Sequence, residues 1–152
     1  MIAVIRYGAG NVRSVVSALR RLGADGVLTD DPEVVLGADK VIFPGVGEAS
    51  SAMAALREKG LIEAIRSIER PFLGICLGMQ LMCESSEEGD TECIGSIPVP
   101  VLRFPSGRGF KIPHMGWNQI GQTKGTLYGG GMDGSYMYFV HSYYVPLCSY
   151  TS

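Results

Sequence analysis

The chain has 152 residues, 46% of them hydrophobic and 18% charged, with 13 basic against 15 acidic side chains and a formal net charge of −2. That balance excludes a disordered chain, a coiled coil and a basic surface seeking nucleic acid or anionic membrane, and it suits one domain with its own core. Glycine is in surplus at 21 residues without a Gly-X-Y period, which excludes collagen and points to tight turns and close backbone approaches. From the N-terminus, Ile2-Ala3-Val4-Ile5 reads as a buried strand running into the turn Gly8-Ala9-Gly10. Asn11 is a good N-cap for a helix over about Val12 to Leu22, whose Val12, Val15, Val16, Leu19 and Leu22 form one apolar stripe. Val27-Leu28-Thr29 reads as a second strand, and Asp31-Pro32 opens a brief helix. Lys40 to Phe43 is a third strand ending at Pro44-Gly45-Val46-Gly47, with helical patterns near Ala49–Lys59 and Leu61–Ile68. Pro71 to Ile75 is a fourth strand meeting Cys76 at a turn, and the pattern then predicts a helix from Leu77 to about Ser85.

This alternation predicts an α/β fold, a doubly wound and mostly parallel sheet with helices on both faces and its strand-end loops gathered on one edge. After Glu87-Glu88-Gly89-Asp90 the character changes. Pro98, Pro100, Pro105 and Pro113 punctuate short apolar pieces, among them Val101–Phe104 and Trp117–Ile120, which predicts an antiparallel β-rich C-terminal extension. Gly125 to Gly134 reads as a turn region centred on Gly129-Gly130-Gly131, and Tyr136 to Val145 as one aromatic strand with packing on both faces. No apolar run approaches the ~20 residues of a membrane span. The N-terminus lacks the basic region of a signal peptide. Cys76, Cys83, Cys93 and Cys148 show no C-x-x-C spacing, so neither a disulfide framework nor a metal site is expected, and a reducing, cytoplasmic setting is.

The segment that carries chemistry is Gly74-Ile75-Cys76-Leu77-Gly78. It is G-x-C-x-G at a strand-to-helix junction, the cysteine form of the nucleophile elbow. The sharp turn holds the nucleophile in strained backbone, the flanking glycines give the neighbouring chain room, and a helix N-terminus favours thiolate. The N–H of Leu77 points where an oxyanion would form, and Pro44-Gly45-Val46-Gly47, at the end of another strand on the same edge, could supply the second donor. The motif alone fits a buried packing cysteine equally well. Its place at the sheet edge where α/β sites lie favours the functional reading. A dinucleotide reading of Gly8-x-Gly10 fails, because Arg13 occupies the third glycine position.

Gly74-Ile75-Cys76-Leu77-Gly78-Met79-Gln80-Leu81 resembles the nucleophile segment of the class I glutamine amidotransferases, and Pro44-Gly45-Val46-Gly47 resembles their oxyanion strand. Tyr7-Gly8-Ala9-Gly10-Asn11, Pro113-His114-Met115-Gly116-Trp117-Asn118 and Phe139-Val140-His141-Ser142-Tyr143-Tyr144 narrow the resemblance to the family of glutaminase subunits of imidazole glycerol phosphate synthase. The resemblance runs the length of the chain. It implies a flavodoxin-like fold and a glutaminase of histidine biosynthesis in which Cys76 attacks the side-chain amide of glutamine. The oxyanion would be held by N–H groups of Leu77 and of Val46 or Gly47, and a thioester would be left for water. It implies substrate contacts from Gly45, Gln80, Glu88, His141, Ser142 and Tyr143, no cofactor, and a (β/α)8-barrel cyclase partner met by Asn11 and Trp117. Taken alone, Glu87-Glu88 also fits a solvated acidic turn.

The departures matter as much. The family pairs its cysteine with a histidine and a glutamate from an H-P-E segment, and neither His114 nor His141 is followed by Pro-Glu. The reading is therefore of a single amidotransferase domain over residues 1–152, incomplete at its C-terminus and without a general base. His141 is expected to be a packed, hydrogen-bonded strand residue and His114 a loop residue. Arg6 stands where the family often has an acid, and Val99-Pro100 where it has a glycine turn. A non-catalytic amidotransferase-like scaffold subunit and another cysteine hydrolase of similar fold remain as alternatives.

Overall fold

The computed structural model describes residues 1–8, 11–107, 109, 111–125, 127–128 and 131–151. Ala9 and Gly10 of the first glycine turn, Gly129 and Gly130 of the later one, and Ser152 lie outside them. Strands β1 (Ile2–Ile5), β2 (Gly26–Thr29), β3 (Lys40–Gly45) and β4 (Phe72–Cys76) form one sheet in the order β2-β1-β3-β4, and every pairing is parallel. Between them run helices α1 (Val12–Arg21), α2 (Pro32–Gly37), α3 (Ala49–Glu58) and α4 (Leu61–Arg66). Asn11 caps α1 by accepting from the Ser14 N–H at 3.3 Å, and Asp31 caps α2 from the Glu33 N–H at 2.9 Å. Each satisfies a donor that the helix itself cannot pair.

The helices divide unequally. Ala3, Ile5, Val41 and Phe43 point into the main core, where they meet Val35, Met53, Leu56, Leu61 and Ile65 from α2, α3 and α4. On the opposite face α1 lays Leu19 against Val4 and Gly26, so close that a side chain at Gly26 would meet Leu19 Cδ1 at 2.5 Å. That face is thinner, and Leu73 and Ile75 of the edge strand β4 remain 37% and 39% exposed on it. No helix among the described residues is long and apolar enough to cross a membrane.

The elbow helix is shorter than its sequence pattern predicts. α5 spans only Leu77–Leu81, and Cys83–Ser86 is strand β5. The carbonyls that would continue the helix are taken from elsewhere: Ile94 N–H donates to Leu81 O, Ile97 to Met82 O and Gly95 to Cys83 O, at 2.8–2.9 Å. Tertiary pairing thus overrides the local pattern. β5 pairs antiparallel with β6 (Thr91–Glu92) and parallel with β7 (Ile97–Arg103), and β7 pairs antiparallel with β10 (Tyr143–Tyr144). The extension is therefore β-rich but not wholly antiparallel. Val99-Pro100 is not a turn: it lies inside β7, with Val99 and Val101 buried beside Cys83 and the prolines facing outward.

Strands β8 (His114–Gln119) and β9 (Tyr136–His141) form a separate antiparallel pair. The predicted aromatic strand is broken at Ser142, where the chain leaves this pair to join β7. Its residues are not packed on both faces either. Among the described residues no helix covers one face of the pair, which carries the exposed Met115, Trp117, Tyr136, Tyr138 and Val140. His114 lies on β8 rather than in a loop.

Candidate active site

The C-terminal ends of β3 and β4 lie side by side, with Gly45 opposite Cys76. Cys76 has φ 54° and ψ −119°, a conformation unfavourable for a residue with a Cβ, and its thiol is exposed. Such backbone costs of order 1–3 kcal/mol and persists only where its surroundings hold it. Here glycines do so. A Cβ on Gly78 would stand 1.9 Å from Phe43 O, and one on Gly74 would stand 2.6 Å from Met79 Cα. The G-x-C-x-G pattern is thus a packing requirement: α5 lies directly on β3 and β4, and that contact sets the Cys76 turn. Gly45 belongs to the same contact, since a side chain there would meet Gly78 N at 2.5 Å, Tyr7 Oη at 2.7 Å and Leu77 Cβ at 2.9 Å.

Cys76, Leu77, Val46, Gly47, Gln80, Glu88, His141, Ser142 and Tyr143 line one cleft of about 370 Å³, together with Pro113 and Val140. Five separate stretches of chain therefore meet in this cleft. Gly45 lies beneath this cleft rather than in its wall. Gln80 is buried and donates from Nε2 to Tyr143 O at 3.3 Å, which ties α5 to the β9–β10 junction. Glu88 is not merely a solvated acid. Its Oε2 accepts from the Ala49 N–H at 2.9 Å, so it caps α3, a helix whose own N-cap residue, Glu48, makes no side-chain cap bond. Glu87 likewise accepts from the Arg103 N–H at 2.6 Å. A larger, mostly apolar cavity of about 770 Å³ adjoins the cleft at Pro113 and His141, and among the described residues its lining includes no cysteine, serine or threonine.

Both histidines sit at this boundary. His141 Nδ1 lies 2.8 Å from Tyr143 O, His141 Nε2 lies 3.1 Å from His114 Nδ1, and His114 Nε2 lies 2.6 Å from Asn118 Nδ2. All four imidazole nitrogens are thereby occupied, and among the described residues none bonds to Cys76. Asn11 and Trp117 lie outside the cleft, at the start of α1 and on the open face of the β8–β9 pair. Among the described residues no three His, Cys, Asp or Glu side chains converge as a metal site.

Three features of the site escape sequence reasoning. The histidine pair depends on the β8–β9 register, which sets His114 opposite His141. The capping role of Glu88 spans 39 residues of chain. Tyr7 is buried under Gly45, and its Oη is the one buried side-chain polar atom among the described residues without a hydrogen-bond partner. Burial, and then the neighbouring Cys76, push its phenol up to about 12. The Arg6 departure is compensated locally: its guanidinium meets Asp30 at 3.1 Å, and Lys59 reaches the other oxygen of the same carboxylate at 2.9 Å.

An exposed cysteine in strained backbone at a strand-to-helix turn, with glycine-flanked amides beside it, is the arrangement of a thioester-forming acyl-transfer site. The family model "Glutamine amidotransferase class-I" matches residues 3–149. The chain belongs to the class-I glutamine amidotransferase family. Within that family it is similar to the "Imidazole glycerol phosphate synthase subunit HisH" of Bacteroides thetaiotaomicron, at 52% identity over 99% of this chain and 78% of the relative. The subunit of the same name from Bacteroides fragilis is 53% identical over the same shares, and that of Chromobacterium violaceum 49% identical over 94% and 73%. A solved structure described as "Crystal structure of glutamine amidotransferase" shares the fold at a TM-score of 0.68 and 18% identity, covering 92% of this chain and 71% of that one.

Proposed function

We propose that the chain is the glutaminase subunit of an imidazole glycerol phosphate synthase, acting in histidine biosynthesis in the cytoplasm. The observation that carries this reading is the convergence of Cys76, the Val46-Gly47 strand end, Gln80, Glu88 and Ser142-Tyr143 on one cleft. Cys76 Sγ attacks the side-chain amide carbon of glutamine. The oxyanion accepts from the Leu77 N–H and from the N–H of Val46 or Gly47. With a base to carry the thiol proton to the amide nitrogen, the C–N bond breaks, ammonia leaves and water hydrolyses the thioester to glutamate; neither histidine of this chain is placed to be that base. Glu88 faces the substrate ammonium with the carboxylate that also caps α3, Gln80 lies beside the amino-acid head, and Ser142 and Tyr143 meet the carboxylate. His141 closes the same wall. Ammonia passes to a (β/α)8-barrel cyclase, which docks over Asn11 and the open hairpin face where Trp117 is 67% exposed.

The two histidines of the 152-residue chain are committed to each other, to Tyr143 O and to Asn118. Neither serves Cys76 as a base, so this polypeptide alone releases no glutamate. Glutamate release by the purified chain, abolished by Cys76→Ala, overturns that part of the reading. Substrate recognition is tested separately by titrating the 15N-labelled chain with L-glutamine and with D-glutamine. The L-isomer is expected to shift the amides of Leu77, Gln80 and Tyr143. Equal responses to both isomers, or none, contradict the proposal.

A further inference from the structure

The hydrogen-bonded string Tyr143 O, His141, His114, Asn118 has a direction imposed by chemistry. A carbonyl oxygen accepts and never donates, so the 2.8 Å contact requires a proton on His141 Nδ1. In the neutral ring Nε2 is then a bare acceptor, and the 3.1 Å contact places the proton of His114 on its Nδ1. His114 Nε2 is left bare, facing the Asn118 Nδ2 donor at 2.6 Å. Both imidazoles are thus fixed as Nδ1–H tautomers, because the partner at one nitrogen decides the state of the other.

The string ends at a useful place. Tyr143 O also accepts from Gln80 Nε2 at 3.3 Å, so both of its lone pairs are filled from within the protein. The neighbouring Ser142 O accepts from the Phe104 N–H at 3.1 Å. With the Tyr143 carbonyl filled and the Ser142 carbonyl turned to Phe104, the groups these two residues offer the cleft can donate, through N–H and O–H, which suits an anionic group. The rings are also clamped from the side: Phe104 packs edge-on against His141 at 5.1 Å and His114 at 6.4 Å between centroids.

We propose that His114, with Asn118 behind it, is a positioning residue for substrate binding, holding His141 in the tautomer that fixes the Tyr143 carbonyl and so turns the Ser142-Tyr143 corner toward the carboxylate of an amino-acid substrate. This rests on the glutamine reading of the cleft. It links the β8–β9 pair to the cleft wall at His141 through His114 and Asn118, which do not line the cleft themselves.

Long-range 1H–15N correlation of the imidazole nitrogens in the wild-type chain, without ligand, reads the tautomers directly. The expected spectrum shows His141 and His114 each protonated at Nδ1 and bare at Nε2. A proton on His141 Nε2 with Nδ1 bare overturns the proposal. His114→Ala is expected to release the His141 tautomer and to weaken L-glutamine binding about tenfold, the scale of one positioned hydrogen bond. His114→Gln, which offers an amide N–H in the same direction, is expected to recover most of that loss. Wild-type affinity in His114→Ala contradicts the proposal. A wild-type chain with the expected tautomers that binds no L-glutamine overturns the reading of the cleft and leaves the tautomer assignment standing.

Discussion

Gly78→Ala places a methyl group where no neighbour can yield cheaply. The new Cβ would lie 1.9 Å from Phe43 O and 2.8 Å from Phe43 C. An ordinary contact needs 3.4 Å, so β3 and α5 must part by about 1.5 Å. Neither has slack. Phe43 is fully buried, edge-on to Tyr7 at 5.5 Å and stacked on Phe72 at 6.1 Å, and β3 lies between β1 and β4. Overpacking typically costs about 1–3 kcal/mol, and a clash with backbone belongs at the upper end, so a loss of about 3 kcal/mol is expected. For a chain of this size that lowers Tm by roughly 6–12 °C. Urea unfolding followed by circular dichroism measures it, with Gly37→Ala as control, since nothing lies within 4 Å of the Cβ position there and the change should be neutral to mildly stabilising. The same displacement moves Cys76, so alkylation of its thiol should change as well. A Gly78→Ala chain as stable as wild type would refute the claim that close packing of α5 on β3 builds the elbow.

Tyr7→Phe should stabilise the fold by about 1 kcal/mol, because it removes a buried, unpartnered hydroxyl and keeps the ring; a clear loss in the urea midpoint would show that the hydroxyl has a partner. Iodoacetamide near neutral pH should modify Cys76 first and Cys148 more slowly. Cys83 and Cys93, buried and pushed up to about 11 by that burial, should react only on unfolding, and early modification of either, seen by peptide mass mapping, would contradict their placement. Hydrogen bonds from Lys59 and then Arg6 hold the Asp30 carboxyl down at about 2 against an ordinary 3.8. Its folded value is the lower one, so its contribution is complete above the unfolded value and is lost as pH falls from about 3.8 toward about 2. Asp30→Asn should flatten the stability profile across that window, and an unchanged acid limb would refute the linkage.

The parallel sheet was legible because its strands are continuous apolar runs closed by glycine turns, and because Asn11 and Asp31-Pro32 mark helix starts by local chemistry. The elbow was legible because its glycines answer a steric demand close to the nucleophile in sequence. What escaped depends on distant chain. Helix α5 stops at Leu81 because residues 94–97 capture its carbonyls, which no local pattern in Leu77–Ser85 announces. The aromatic strand splits at Ser142 because β7 recruits Tyr143 and Tyr144. Its alternation is as compatible with a buried strand as with an open hairpin face, and only the exposure of Tyr136, Tyr138 and Val140 in the fold decides. The capping bond of Glu88 and the pairing of the two histidines join residues 39 and 27 positions apart, so they appear only with the register in hand.

The central claim is that the cleft at Cys76 recognises glutamine and presents its amide carbon to the thiol. A glutamine-mimicking chloroketone tests this most directly, with adducts located by mass spectrometry. The account predicts one adduct, on Cys76, formed slowly and suppressed by excess L-glutamine. Absence of that adduct while iodoacetamide still alkylates Cys76, or labelling that L-glutamine does not suppress, would contradict it.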